Sequence, residues 1–371
     1  MQKILLFILL ILSIASCKVD SGAGFSSETI RLIDSTKITS TKFPFWISFS
    51  SSNQLLAYDP LSHDISLMND RGDTLHYFNK FGEGAEAYQR VRGIDQLPDG
   101  RLLLYSTFDY YLYQPDGTFV KSGKIGPEGT MANPNPSMKA PIYTDSDGTS
   151  YLVYPGGYPP AHPFNTPEGI SEFPLASTVN IQTEDFHTAA KLPKGSIFHQ
   201  SFFSKNFPLL DIYADRLFVK MPYGNEVYLF QLPSLEYLGS LEVSSETDPQ
   251  GVKYGQNKAE MIHQAFLNYQ KANIYTQLVA TGPKTCWLER LGSLPETISP
   301  ATNMREYLDR GLAPKRPHSF IYVSPQETRA FITPDHLSLS LIDVHPQKGL
   351  VLNGPLNEEN NEVSIYFAAH P

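Results

Sequence analysis

Residues 81–129 read FGEGAEAYQRVRGIDQLPDGRLLLYSTFDYYLYQPDGTFVKSGKIGPEG, and the fold is decided in this stretch. Two apolar runs, 102–105 and 110–113, are each followed or preceded by a Pro-Asp-Gly turn, at 98–100 and 115–117. Such turns between short runs rich in Tyr, Leu and Val are typical of antiparallel strands. The stretch therefore predicts four short strands and three turns in fewer than fifty residues.

The same order of strands and turns recurs along the chain. Leu55 corresponds to Leu102 at a spacing of 47 residues, and Gly72 corresponds to Gly117 at a spacing of 45. Tyr154 lies 49 residues beyond Tyr105. A period near 45 residues with four strands per unit is the signature of a β-propeller. We therefore predict an all-β, six-bladed propeller of four-stranded antiparallel blades.

Two insertions are expected to interrupt the blade pattern, and the N-terminal strand is expected to close the ring. Residues 257–272 begin with an Asn N-cap signal and have a helical apolar period, so they predict a short helical insertion between blades. Residues 155–194 predict a long polar loop, and loops of this length are commonly functional or disordered. The strand near Ile30 is expected to complete the last blade, because closing the ring leaves no open sheet edge.

The amino terminus is predicted to carry an export signal. Lys3 precedes the apolar run 4–12, which is too short to span a bilayer, and the residues Ile14-Ala15-Ser16-Cys17 follow. This tetrapeptide resembles a bacterial lipobox, which implies removal of 1–16 and lipidation of Cys17. The alternative is an ordinary signal peptide with a chance cysteine. The predicted organisation is a signal at 1–16, a lipidated tether at 17–25 and a single propeller domain at 26–371.

Composition sets limits on the partners. The formal net charge of −9 argues against nucleic acid as a partner, and the 21 tyrosines and 29 prolines favour strands and loops over helices. With Cys17 lipidated, Cys286 is the only remaining thiol, so no intramolecular disulfide forms. We therefore expect a membrane contact through the N-terminal lipid and a location at the cell envelope. The outer membrane is favoured, with its periplasmic or surface face left open.

The repeat resembles a known family. Its motifs 81–84, 92–94, 98–100 and 115–117, with Tyr105, are similar to the NHL-type repeat. Together with the lipobox they resemble the six-bladed, TolB-like propeller lipoproteins of Bacteroidetes-type bacteria, many of which are domains of unknown function. The resemblance implies fold and location only, since it brings no functional residues to transfer.

Candidate ligand-binding residues are mostly aromatic. Tyr154, Tyr158 and His162 cluster around the Pro- and Gly-rich start of the long loop, and Trp287 with Arg290 lies on another blade. Aromatic faces beside a charged group can hold a saccharide or a peptide. The alternative is that these aromatic residues simply pack between blades.

Three functions remain open from the sequence. The favoured hypothesis is a binding or scaffold module for a saccharide or an envelope protein, without a cofactor. The second is a propeller hydrolase or lyase with a site in the central channel, with or without calcium, which predicts His, Asp or Glu on the innermost strands. The third is a purely structural component without a pocket. No catalytic residue can be named from linear spacing, because a propeller assembles its centre from distant strands.

Overall fold

The structure is a computed structural model. It describes residues 28–39, 45–49, 54–133, 135, 137–157, 166–205, 207–243, 251–255, 257–312, 316–334, 337, 339–345, 347–357, 359 and 362–369.

Six four-stranded antiparallel blades form the ring, which confirms the predicted all-β propeller. Blades 1 to 3 contain the following strands: β3 (Phe45–Phe49), β4 (Leu55–Tyr58), β5 (Ile65–Met68) and β6 (Thr74–Phe78); β7 (Gly93–Gln96), β8 (Leu102–Tyr105), β9 (Asp109–Tyr113) and β10 (Phe119–Lys124); β12 (Ile142–Thr144), β13 (Ser150–Tyr154), β15 (Pro174–Asn180) and β16 (Phe186–Lys191).

Blades 4 to 6 continue the ring with these strands: β18 (Leu209–Tyr213), β19 (Arg216–Lys220), β20 (Glu226–Gln231) and β21 (Glu236–Glu242); β23 (Ile274–Gly282), β24 (Thr285–Leu291), β25 (His318–Val323) and β26 (Thr328–Ile332); β27 (Ser340–His345), β28 (Gly349–Asn357), β29 (Glu362–Ala368) and β2 (Leu32–Thr39). Two small ladders join β11 (Met131–Ala132) to β14 (Gly156–Gly157) and β17 (Ser201–Phe202) to β22 (Val252–Lys253).

The ring is closed by the N-terminal part of the chain, as the sequence predicted. Strand β2 supplies the outer strand of blade 6 and pairs antiparallel with β29, with Lys37 opposite Ser364. The short strand β1 (Glu28–Thr29) adds a fifth strand to blade 5 by pairing in parallel with β26. Ile30 itself lies between these two strands and is buried.

Apolar side chains fill the spaces between successive blades. The core between blades 1 and 2 contains Leu56, Tyr58 and Phe78 from one blade and Leu104 and Tyr113 from the next. Outer strands are more exposed: β10 alternates between half-buried and exposed residues along its whole length, and four of the five residues of β6 are exposed. Inter-blade burial therefore explains why the second and third strands of each repeat read as apolar runs.

Among the described residues, helices lie at one end of the blades and on blades 3 to 5. They are α1 (Pro167–Glu172), the 3₁₀ turn η1 (Ile197–His199), α2 (Lys258–Lys271) and α3 (Met304–Asp309). Each follows the second or the fourth strand of a blade. In an antiparallel meander these connections emerge at one end, whereas the turns after the first and third strands emerge at the other. We call the first end the loop face and the second the hairpin face.

The predicted insertion at 257–272 is confirmed as α2, whose N-cap Asn257 accepts hydrogen bonds from the amides of Ala259 and Glu260. The expectation of one long loop at 155–194 was wrong, since α1, β15 and β16 lie there. All seven residues of β15 are buried, yet its sequence PLASTVN is rich in small and hydroxyl residues. Burial without an apolar run explains why this strand gave no sequence signal.

Candidate functional site

The centre of the ring is crossed by the connection between blades 2 and 3. The amide of Ile94, on the innermost strand β7, donates to the Met138 carbonyl at 2.9 Å, and the amide of Ala140 donates to the Ile94 carbonyl at 3.1 Å. The buried Asn135 side chain donates to the Leu210 carbonyl of blade 4 at 3.1 Å. This segment therefore connects the innermost strands of two blades that are not neighbours.

Lys139 in this segment interacts electrostatically with carboxylates from three innermost strands. Its Nζ atom lies 3.0 Å from Asp211 Oδ1 of β18 and 3.4 Å from Asp343 Oδ1 of β27. Burial alone would lower the pKa of Lys139, but Asp211, Asp343 and Asp95 of β7 together outweigh it and raise that pKa above its usual range. Lys139 is therefore a fixed cation and a poor general base. We call Lys139, Asp95, Asp211 and Asp343 together the hub.

Carboxylates near the hub also join blade to blade through backbone amides. Asp211 accepts the amide of Ala280 on β23 at 2.8 Å. Glu289, on β24, accepts the amide of Leu341 on β27 at 2.8 Å and lies 3.3 Å from His318 Nδ1. Because each bond crosses from one blade to the next, these buried carboxylates stabilise the ring itself.

A second cluster lies on the loop face, in the insertions of blades 3 to 5. The sequence positions 166–173, 192–208, 251–273 and 292–317 contain these insertions, and we call them the cap. Ile170, Phe198, Phe266, Tyr269 and Tyr307 of the cap share one core with residues of the blade strands. The cap therefore packs as one layer on the propeller and not as separate loops.

Cations and aromatic rings meet inside the cap. The buried Arg316 guanidinium lies 4.9 Å from the centre of the Tyr269 ring, and Lys205 Nζ lies 5.0 Å from the same centre. Arg316 also donates to the carbonyls of Gly292 and Ala272. Lys205 is exposed at the surface, yet partial desolvation by the cap lowers its pKa, and the Arg316 charge lowers that pKa further against an opposing effect of Tyr307. An anion bound beside Lys205 would relieve this repulsion.

The cap differs in charge from the rest of the protein. Its four ranges hold nine Lys and Arg residues and six Asp and Glu residues, a formal net charge of +3 in a chain of −9. Large apolar side chains are also exposed there, including Ile262 on α2 and Met304 and Leu308 on α3. A net positive segment with exposed aliphatic groups suits an acidic partner with some apolar surface, although the count includes the buried Arg316.

A groove of about 610 Å³ lies between blades 4 and 5 on the hairpin face. Its walls are formed by the outer strand β21 at 238–242, by Lys284 and by the hairpin 324–328. Thr328 Oγ1 donates to the Glu242 carbonyl at 3.4 Å and links the two walls. The groove is wide and polar, so it is less selective than an enclosed site.

Two of the aromatic residues singled out in the sequence lie in the interior. Tyr154 is buried between blades 2 and 3, and its hydroxyl donates to the Ile125 carbonyl at 2.8 Å. Trp287 is buried between blades 5 and 6, where its ring packs on Tyr322 and Phe331. Each ring is in an inter-blade core, which is where the alternative interpretation put it.

Arg290 is half-buried, and its Nε atom donates to Ser319 Oγ at 3.0 Å. It lies three positions after Trp287 on β24 with continuous register, so the two side chains lie on opposite faces of the strand. The structure therefore does not bring Trp287, Arg290 and Tyr154 to one site. Tyr158 and His162, like Cys17 with its predicted lipidation, lie outside the described residues.

Among the described residues, no three or more His, Cys, Asp and Glu side chains are grouped so as to hold a metal ion. None of the described helices has the length and apolar character needed to cross a membrane.

Comparisons with known proteins support the fold. Neither the models of known protein families nor the curated protein sequences give a match. A solved structure of a DUF4221 family member from Bacteroides vulgatus is similar with a TM-score of 0.67 at 11% identity, covering 92% of this chain and 97% of that one. A Bacteroides fragilis protein, named as a candidate exported protein, is similar with a TM-score of 0.55 at 10% identity, covering 96% and 98%.

Proposed function

We propose that this protein is a lipid-anchored β-propeller of the cell envelope that acts as a binding or scaffold module, with the cap as its recognition surface. The observation that carries the proposal is the placement of the helical insertions. They lie on one face, on three adjacent blades, and share one core. A propeller closes without helices, as blades 1, 2 and 6 do in their described residues. Insertions on a rigid scaffold are where binding residues concentrate.

The envelope location rests on the sequence. The short apolar run and Cys17 provide the signal and the attachment site for lipid, and the resemblance to NHL- and TolB-like lipoproteins agrees with them. The Bacteroides fragilis neighbour is itself named as a candidate exported protein, which is consistent with this location.

The cap favours an acidic protein partner over a neutral saccharide. Its net charge of +3 attracts acidic surfaces, and the exposed Ile262, Met304 and Leu308 side chains match apolar protein surface better than sugar hydroxyls. A saccharide that carries carboxylates is the remaining alternative, because it shares the charge.

Thermal melting of the mature chain with panels of acidic peptides, uronic-acid glycans and neutral glycans tests the proposal. A ligand present at 100 times its Kd adds about 2.7 kcal/mol to stability, which raises the melting temperature measurably. Charge reversal in the cap, by Lys205→Glu with Lys258→Glu, should abolish that shift. The matched control is Arg71→Glu on the hairpin face, which should leave the shift intact. A shift that survives the cap variants and disappears in the control would contradict the proposed surface.

The second candidate function is the hydrolase or lyase with a site at the hub. It is favoured by one observation, the three aspartates Asp95, Asp211 and Asp343 on innermost strands, although their side chains are not grouped as a ready metal site. Lys139 neutralises part of their charge, so a calcium ion would have to compete with its ammonium group. The test is melting with calcium and with chelator. A lower melting temperature in chelator alone, absent from an Asp343→Asn variant, would favour this function over binding by the cap.

A further inference from the structure

The cap contains a buried guanidinium group with a free donor. Arg316 is 2% exposed, and its Nε and Nη2 atoms donate to the backbone carbonyls of Gly292 and Ala272. Its Nη1 atom is buried and donates to no residue that the structure describes. Arg316 also forms no ion pair with a described carboxylate. Because a buried charge is costly unless it is paired and hydrogen-bonded, an anion beside Nη1 would be strongly stabilised.

The hydroxyl of Tyr307, on α3, is a second buried donor of this kind. Tyr307 is 3% exposed, and its hydroxyl has no hydrogen-bond partner within the described part of the chain. Its ring packs edge-on against the Tyr269 ring, with 5.8 Å between the ring centres, and the Arg316 guanidinium lies 4.9 Å from the centre of that same Tyr269 ring. Burial raises the pKa of Tyr307, and the nearby Arg316 charge opposes this rise. Two free donors are thus buried around one ring.

Lys205 brings a second positive charge to this ring from the protein surface. Its Nζ atom lies 5.0 Å from the centre of the Tyr269 ring, so the ammonium and the Arg316 guanidinium are less than 10 Å apart. Lys205 itself is exposed, and the preceding Ser204 is fixed by a hydrogen bond of 3.1 Å with the Tyr223 hydroxyl. Lys205 is therefore the solvent-facing member of a cluster whose other two members are buried.

We propose that Arg316, Tyr307 and Lys205 form a site for one carboxylate group of an acidic protein partner, which we call the carboxylate site. The inference rests on the proposed function of the cap and names the group that the cap recognises. A carboxylate has two acceptor oxygens, which match the free donors of Arg316 and Tyr307, and its charge is attracted by Lys205. A phosphate has more oxygens and more charge than two free donors and one ammonium group satisfy.

The first experiment removes one donor without removing a contact of the folded protein. The probe is a short synthetic peptide of Glu and Leu residues, titrated calorimetrically into the mature chain at fixed ionic strength. Tyr307→Phe deletes a hydroxyl that has no partner among the described residues, so the stability of the unliganded protein should not fall. Its affinity for the peptide should fall about tenfold or more, because a hydrogen bond to a charged group is lost. Arg316 is kept, since its bonds to two carbonyls also hold the cap together.

Tyr254→Phe is the matched control within the cap. The Tyr254 hydroxyl donates to the Phe198 carbonyl at 2.9 Å, so this variant should lose stability and keep its affinity for the peptide. A second pair of variants tests the charge at the surface. Lys205→Gln should weaken binding about fivefold, whereas Lys258→Gln, at an exposed position of α2, should weaken it at most about twofold.

The outcomes separate the carboxylate site from the wider function of the cap. Unchanged affinity in both Tyr307→Phe and Lys205→Gln would overturn the carboxylate site while leaving the cap as a surface for acidic partners. Equal affinity for a peptide with Gln in place of Glu would overturn it as well. Binding of an oligouronate alone, lost in Tyr307→Phe, would overturn the protein partner and assign the site to a saccharide carboxylate. Binding of neither probe by the wild type would contradict both the site and the recognition of acidic partners by the cap.

Discussion

Lys139 shows how a single residue holds the hub together. Its ammonium group is the counter-charge for Asp211 and Asp343, whose side chains are 3% and 10% exposed. Lys139→Met leaves these carboxylates buried without their cation, so we expect a loss of about 3–5 kcal/mol in the free energy of unfolding. Urea unfolding measures it. Lys124→Met is the matched control, because Lys124 pairs with Asp109 at 2.6 Å with 70% of its side chain exposed and should cost at most about 1 kcal/mol. Equal costs for both variants would contradict a structural hub.

Lys220 provides a pH-dependent test at the same scale. It is fully buried, donates to the carbonyls of Met221, Tyr223 and Gly224, and lies 4.0 Å from the centre of the Tyr275 ring. Burial lowers the pKa of Lys220 to about 7, against opposing effects of Cys286 and Glu226.

Between pH 7 and 10 the unfolded chain therefore binds more protons at Lys220 than the folded protein does, so the stability that this residue confers rises with pH. Relative to Lys220→Met, the wild type should gain roughly 2 kcal/mol in unfolding free energy from pH 7 to pH 9. Urea unfolding at several pH values measures the difference. A constant difference across this range would mean that the three carbonyls keep Lys220 charged.

At the scale of single elements, the hairpins show why the blade period could be read from the sequence. Gly117 has φ +86°, and a Cβ atom there would lie 2.6 Å from Phe78 Cγ at the end of the preceding blade's outer strand. Gly148 has a similar φ of +89°, but a Cβ atom added there would have no neighbouring atom within 4 Å.

Gly117→Ala therefore combines left-handed backbone strain with overpacking, whereas Gly148→Ala has the strain alone. We expect the first to cost at least about 1 kcal/mol more than the second in thermal unfolding. Equal losses would show that this hairpin does not need close contact with its neighbouring blade.

Elements without an apolar period could not be predicted. The repeat around Leu102 and Tyr105 revealed the blades because inter-blade burial selects large apolar residues there. Strand β15 is buried through small residues, and α1 is only six residues long, so neither produced a recognisable pattern. The hub was missed for another reason. Asp95, Asp211 and Asp343 are single acidic residues in separate strands, and only the ring closure brings them near Lys139.

At the scale of the whole molecule, the cap and the propeller share a core and are expected to unfold together. Phe266 on α2 is 8% exposed and belongs to the same core as Val153, Leu217 and Phe230 of the blades, whereas Ile262 on the same helix is 46% exposed. Phe266→Ala should therefore lower the unfolding free energy by about 3–5 kcal/mol, and Ile262→Ala by about 0.5 kcal/mol at most.

Two probes tell a shared transition from a separate one. Far-UV circular dichroism follows the helices of the cap together with the strands, and the fluorescence of Trp287, buried between blades 5 and 6, follows the ring. In a Trp46→Phe background, which removes the other tryptophan, both signals should shift to lower urea by the same amount in Phe266→Ala. An early loss of helical signal with an unchanged Trp287 transition would contradict a shared core. The cap would then be a layer that orders independently, and its rigidity as a recognition surface would have to come from the partner.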